Sequence, residues 1–155
     1  MKKRLFFLLA VFCFLGLGVQ AQETMSKGQL VGSLKVGFSD YGLPIGVSAD
    51  YGVVSGFING NAAVSVGGEV GVYMYDKVEG GLGVHLSAAA RGNFHYEFVR
   101  NLDTYLGLNL GILGRSFSLN GHLGARYYFG KFGVGLEFGM GNHAAGGTLG
   151  VSMKF

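Results

Sequence analysis

The chain has 155 residues, 30 of them Gly, with 14% charged residues and a formal net charge of +3. That length fits one domain, and a mean hydropathy of +0.37 excludes a disordered chain, which needs low hydrophobicity and high net charge. So much Gly beside a single Pro excludes collagen and disfavours helices, because interior Gly costs a helix about 1 kcal/mol relative to Ala.

The first segment explains the charge. Lys2, Lys3 and Arg4 precede an apolar run from Leu5 to Leu17, and Val19-Gln20-Ala21 supplies modest side chains at a cleavage site. This pattern predicts a secretory signal peptide over 1–21, cleaved after Ala21. The run is shorter than the ~20 residues a membrane-spanning helix needs. Cys13, the one cysteine, leaves with the leader, and the bulky Phe12 before it argues against lipidation. Removing the three leader bases leaves nine Lys plus Arg against nine Asp plus Glu. The pI near 9.0 is then a property of the leader, and a nucleic-acid partner loses its electrostatic footing. Residues 22–28 form a short tail, and 29–155 form the folded domain.

After the leader, alternation dominates. Leu30, Leu34, Val36 and Phe38 oppose Ser33, Lys35 and Gly37; Ile45 to Val53 oppose Gly46, Ser48, Asp50 and Gly52. Val64 to Met74 oppose Ser65, Gly67, Glu69 and Gly71; Ala88 to Phe98 oppose Arg91, Asn93, His95 and Glu97. The second half continues with Leu106 to Ile112, Leu123 to Phe129, Phe132 to Met140 and Leu149 to Phe155. Period 2 over eight segments predicts eight strands. The breaks carry turn residues: Ser39-Asp40-Tyr41-Gly42, Asn59-Gly60-Asn61, 76–83, Arg100-Asn101, 114–120, Gly130-Lys131 and 141–147.

Alternation alone does not say which face meets water, but the polar face does. It is too poor in charge for a soluble wall. Glycines sort onto it, at 37, 46, 52, 67, 71, 107, 111, 124, 133, 135, 139, 141 and 150, with five at 32, 68, 92, 121 and 147 on the apolar parity. An eight-stranded barrel has an interior just wide enough for side chains, so inward glycines leave room for long ones. The inward set is balanced: Lys35, Arg91, Arg126 and Lys154 against Asp50, Glu69, Glu97, Asp103 and Glu137. Charges buried in a narrow lumen must be paired. The expectation is an all-β, eight-stranded antiparallel up-and-down transmembrane β-barrel with its apolar face to lipid. A soluble exported barrel is the competing architecture.

The ending GGTLGVSMKF, with Leu149, Val151, Met153 and Phe155 at every second position, looks like the C-terminal assembly signal of bacterial outer-membrane barrels. With AARGNFHYEF, NLDTYLGLNLG and GARYYFGKFGVGLEFGMG, the mature chain resembles small eight-stranded outer-membrane proteins of the OmpA/OmpX type. The resemblance implies a monomer in the outer membrane, surrounded by lipid and lipopolysaccharide and handled in transit by periplasmic chaperones and the barrel assembly machinery. It implies periplasmic termini, with turns at 55–61, 99–102 and 130–131 on that side and loops at 39–43, 76–85, 114–119 and 142–146 outside. Trp is absent from this chain; Tyr51, Tyr96, Phe98, Phe129, Phe132 and Phe155 form the expected periplasmic aromatic belt, and Phe38 and Tyr75 a thinner outer one.

Three functions compete. The first is a structural or surface role without catalysis, with Lys35, Asp50, Glu69, Arg91, Glu97, Arg126, Glu137 and Lys154 closing the lumen. The second is a small porin-like or ion-permeable barrel lined by the same charges. The third is a lipid A hydrolase at the rim, built on His85 and Ser87, for which Glu79 is the nearby acid. His95, His122 and His143 show no metal-ligand spacing, GVGLEFG lacks the helix a phosphate loop requires, and no cofactor is expected.

Overall fold

The computed structural model describes residues 25–77, 80–141 and 146–155. The leader, Glu79 and His143 therefore lie outside the described residues. Eight strands follow in order: β1 (Leu30–Phe38), β2 (Leu43–Phe57), β3 (Ala62–Asp76), β4 (Leu82–Val99), β5 (Leu102–Leu113), β6 (Ser116–Phe129), β7 (Phe132–Gly141) and β8 (Gly147–Lys154). Each pairs antiparallel with the next. β8 returns to pair with β1, from Val31↔Lys154 to Phe38↔Gly147, so the sheet is a closed barrel.

The alternating sequence produces this wall directly. In β5 the even positions Leu106, Leu108, Leu110 and Ile112 lie outside and exposed, whereas Asp103 and Tyr105 lie inside and buried. The same division holds around the ring. Strands run longer than the alternation alone suggests. β2 is prolonged across irregular register at Gly52/Val54 and Ser55/Phe57, and β4 begins at Leu82, so His85 sits within the strand and not in a loop. Three connections on the far side shrink accordingly to 39–42, 77–81 and 114–115. At the termini end, two-residue turns at Arg100-Asn101 and Gly130-Lys131 place Asn101 and Gly130 at φ 67° and 70°, the left-handed region that these two residue types tolerate best.

The buried apolar cluster is small: Met25, Val31 and Ala63. It caps the termini end of the lumen. The described part of the N-terminal tail is seated there, with Gly28 N donating to Gly52 O at 2.8 Å, Gly52 N to Gln29 O at 2.9 Å and Lys27 N to Ser55 Oγ at 3.0 Å. A Cβ on Gly52 would stand 2.1 Å from the Ser26 carbonyl oxygen, so Gly at this position lets the tail lie across the mouth.

One orientation differs from the sequence expectation. Tyr75 shares the parity of Tyr73 and turns inward, its ring over Gly83 and stacked on His85 with centroids 4.6 Å apart. It belongs to the lumen and not to the outer aromatic rim. Phe117 stands exposed beside the 114–115 turn, with Phe38 exposed at the end of β1.

Candidate functional site: the charged lumen

The lumen is built from one recurring pairing: a bulky inward side chain opposite an inward glycine. Lys35 sits between Gly46 and Gly150 on its two neighbouring strands. Arg91 faces Gly67, Arg126 faces Gly135, and Glu137 faces Gly124. The space is already taken. A Cβ on Gly124 would lie 2.2 Å from the Tyr105 ring, and one on Gly107 would lie 2.2 Å from Asn93 Oδ1.

Into that space the strands project a continuous ionic cluster. Lys35 Nζ lies 2.5 Å from Glu69 Oε2 and 3.0 Å from Glu137 Oε1. Arg91 pairs with the same two carboxylates, meeting Glu69 through Nη1 and Glu137 Oε2 through Nη2 at 2.8 Å. Its Nε faces Asp50 Oδ1 at 3.4 Å. Arg126 Nη2 meets Asp50 Oδ2 at 3.1 Å, and its guanidinium also lies 4.3 Å from the centre of the Tyr105 ring. Tyr105 donates its hydroxyl proton to Glu137 Oε2 at 2.9 Å. Each basic group thus holds two or more anionic or π partners, the arrangement that offsets the cost of removing charge from water.

A neutral chain of hydrogen bonds runs beside the ions. His122 Nε2 donates to Asn93 Oδ1 at 2.6 Å, and Asn93 Nδ2 donates to Asp50 Oδ1 and to Ser65 Oγ. Ser65 Oγ lies 2.9 Å from His95 Nε2, and His95 Nδ1 lies 2.8 Å from Asp103 Oδ1. With Nδ1 donating to the carboxylate, Nε2 accepts from Ser65. Arg91 Nη2 is 3.2 Å from His122 Nε2, but that nitrogen spends its proton on Asn93, so this contact is not a hydrogen bond. The order Ser65–His95–Asp103 is that of a nucleophile, base and orienting acid. Ser65 is fully buried and its oxygen already accepts from Asn93, so no substrate atom reaches it, and the chain serves as a fastening between β3, β4 and β5.

Of the inward residues singled out from sequence, Lys35, Asp50, Glu69, Arg91, Arg126 and Glu137 meet in the cluster. Glu97 sits at the termini end, accepting from Asn101 N at 2.9 Å. Lys154 lies over the Tyr128 ring, Nζ 3.9 Å from its centre. Sequence parity put Asn93, Tyr105, His122 and Ser65 inward without marking them as members. Their role depends on cross-strand stagger, which alternation does not encode. His85 and Ser87 sit two apart on β4, but His85 packs on Tyr75, and no hydrogen bond joins it to Ser87 among the described residues. Leu149 and Val151 face outward; Met153 and Phe155 follow at the end of the chain. Tyr51, Phe98, Phe129 and Phe132 stand exposed near the termini end, with Tyr96 packed on Phe98 at 4.6 Å between centroids.

Two hollows flank the cluster. The one toward the 39–42 and 114–115 turns measures about 60 Å³ and is edged by Tyr73, Ser87, Asn120 and His122. The other, about 10 Å³, lies beside Asp50 and Arg126. A single water needs roughly 10–15 Å³, so the ionic layer leaves room for one water at most on its inner side.

Outside, all eight strands present large apolar side chains to the surroundings. Monomeric soluble proteins rarely expose contiguous apolar patches beyond a few hundred Å², whereas a wall apolar outside and ion-paired inside is that of a transmembrane barrel. One comparison with a solved structure supports the fold. A structure reported under "De novo design of transmembrane beta-barrels" superposes with a TM-score of 0.63 at 16% identity, covering 84% of this chain and 98% of that one. The backbone structure of the Yersinia pestis outer membrane protein Ail in a phospholipid bilayer nanodisc gives a TM-score of 0.49 at 18% identity, covering 83% of this chain and 100% of that one. No family model and no curated protein matches the chain.

Proposed function

We propose that the chain is an integral protein of a bacterial outer membrane, acting without catalysis as a structural or surface component of the envelope. The observation that carries this reading is the ionic layer of Lys35, Glu69, Arg91, Glu137, Asp50 and Arg126 across the lumen. Side chains from six strands that pair as ions across the lumen make a strut. The leader pattern at 1–21 supports export, and the apolar wall supports residence in lipid. On this reading the termini face the periplasm, the barrel is a monomer in lipid and lipopolysaccharide, and chaperones and the barrel assembly machinery meet it only in transit. Planar-bilayer recording of the folded protein tests closure: no steady single-channel conductance is expected. A strain lacking the protein is expected to show raised sensitivity to detergents and bile salts, and a wild-type response would remove the envelope role.

A second reading, a small ion-permeable barrel, is favoured by the two hollows, which share Lys35, Glu137 and Thr148 as lining. Steady conductance that changes in Arg126→Ala would establish it in place of the first. A lipid-modifying activity at His85 and Ser87 has weaker support, because His85 is stacked against Tyr75. Mass spectra of lipid A that match between wild type and Ser87→Ala would remove it.

A further inference from the structure

The lipid-facing wall has a depression near the termini end. At one level, register joins Tyr96, Thr104, Ala125 and Leu136 across β4, β5, β6 and β7. The two small side chains in the middle floor a groove of about 480 Å³ whose walls include Phe94, Phe98 and Phe138. The one hydroxyl on this floor is withdrawn, because Thr104 Oγ1 donates to the Tyr96 carbonyl oxygen at 2.5 Å. The groove is therefore apolar along its floor, with the Tyr96 phenol on one wall.

Its end is not. The β4–β5 turn carries Arg100 and the β6–β7 turn carries Lys131, both exposed. The two turns are neighbours on one arc of the rim, since Tyr128 N donates to Asn101 O at 2.9 Å. Neither base has an ion pair among the described residues, and the turns at 58–61, 100–101 and 130–131 hold no acidic residue. From Ala125 to Gly130 is five residues, roughly 16 Å of strand, a depth that an acyl chain hanging from the rim spans. Basic side chains at a membrane surface attract anionic headgroups, and an apolar groove directly beneath them accommodates the chain.

We propose that this face holds an anionic phospholipid, its phosphate between Arg100 and Lys131 and one acyl chain laid over Thr104 and Ala125. The inference rests on the transmembrane, outer-membrane reading above and assigns the lipid to the leaflet at the termini end. A second barrel copy fits the site less well, because two copies of this arc would bring Arg100 and Lys131 against like charge.

Native mass spectrometry tests it, on the full mature chain released from detergent micelles doped with either phosphatidylglycerol or phosphatidylcholine. Wild type is expected to retain one phosphatidylglycerol in preference to phosphatidylcholine. Arg100→Gln and Lys131→Gln are each expected to lower phosphatidylglycerol retention roughly five-fold, the effect of one basic side chain at an anionic surface, and to leave phosphatidylcholine unchanged. Ala125→Phe, which fills the groove, is expected to reduce retention of both. Equal retention of the two lipids by wild type, wild-type retention by the variants, or a dimer in place of the lipid adduct would overturn the site. Each preparation is first run unheated and heated on a gel. A chain that shows no compact unheated form brings down the barrel-in-membrane reading itself, whereas a compact barrel without lipid preference brings down only this site.

Discussion

Arg91 shows most plainly how single residues hold this lumen. Its guanidinium joins Glu69, Glu137 and Asp50, side chains from β3, β7 and β2, while Arg91 itself comes from β4. Arg91→Leu would leave three carboxylates gathered with only Lys35 and Arg126 to oppose them. Breaking a buried pair by removing one partner costs about 3–5 kcal/mol, so the urea midpoint of the variant in lipid vesicles is expected to fall by that equivalent. Arg91→Leu combined with Glu137→Leu is expected to lose less than the sum of the two single changes, because they share one network; strict additivity would show that the contacts are not coupled. Gly124 makes the complementary case. Its missing side chain leaves the room that the Tyr105 ring fills. Gly124→Val is expected to cost about 1–3 kcal/mol, as overpacking of a filled interior does, whereas Gly92→Val, where a Cβ meets open space, is expected to be nearly neutral. Equal effects at the two sites would contradict the sorting of glycines by face.

Individual elements carry two separable jobs at the two ends of the chain. The N-terminal tail seals a mouth: Met25 is 1% exposed and packs with Val31 and Ala63. Met25→Ala is expected to destabilise the barrel by about 2 kcal/mol, the low end for truncating a buried Met. At the other terminus Phe155 is 67% exposed, donates its backbone N–H to Leu30 O at 2.9 Å and rests the edge of its ring beside Gly32 of β1. Phe155→Ala is therefore expected to leave unfolding stability within about 0.5 kcal/mol, as surface substitutions do. If the terminal alternation acts as an assembly signal, the quantity of folded protein in the membrane fraction falls all the same; unchanged quantity removes that role. Strands and their faces were legible in the sequence because period 2 is written residue by residue, and inward charge came with it. The inward turn of Tyr75 was legible as well, since it shares the parity of Tyr73. The cap by Met25 and the chain from His122 through Asn93 and Ser65 to Asp103 were not: the tail has no alternation to read, and the chain depends on how far neighbouring strands are staggered, while alternation is the same at every stagger that preserves parity.

The whole molecule turns on which side of the wall is the inside. Every charged residue inside a strand, its first and last positions aside, points inward: Lys35, Asp50, Glu69, Arg91, Glu97, Asp103, Arg126 and Glu137. The remaining described charges sit at strand ends and in connections, including Lys27, Asp40, Asp76, Lys77, Arg100, Arg115 and Lys131. That leaves an uncharged belt around the barrel, and an interior in which three bases face five acids, an excess of negative charge offset by the bases at strand ends and in connections. The belt has opposite consequences in the two solvents it could face. In water, an exposed Leu replaced by a charged residue is neutral or improves solubility. In a bilayer, Arg at mid-depth on the lipid face costs about 2–4 kcal/mol. Leu108, 63% exposed and halfway along β5, is the position to change. Leu108→Arg is expected to lower the stability of the barrel in phospholipid vesicles by that amount. The same substitution near the rim, Phe129→Arg, is expected to cost less than about 1 kcal/mol, because the penalty falls away toward the headgroups. Equal and small effects at the two depths would mean that no hydrocarbon layer surrounds the belt, and the polar interior would then need another explanation.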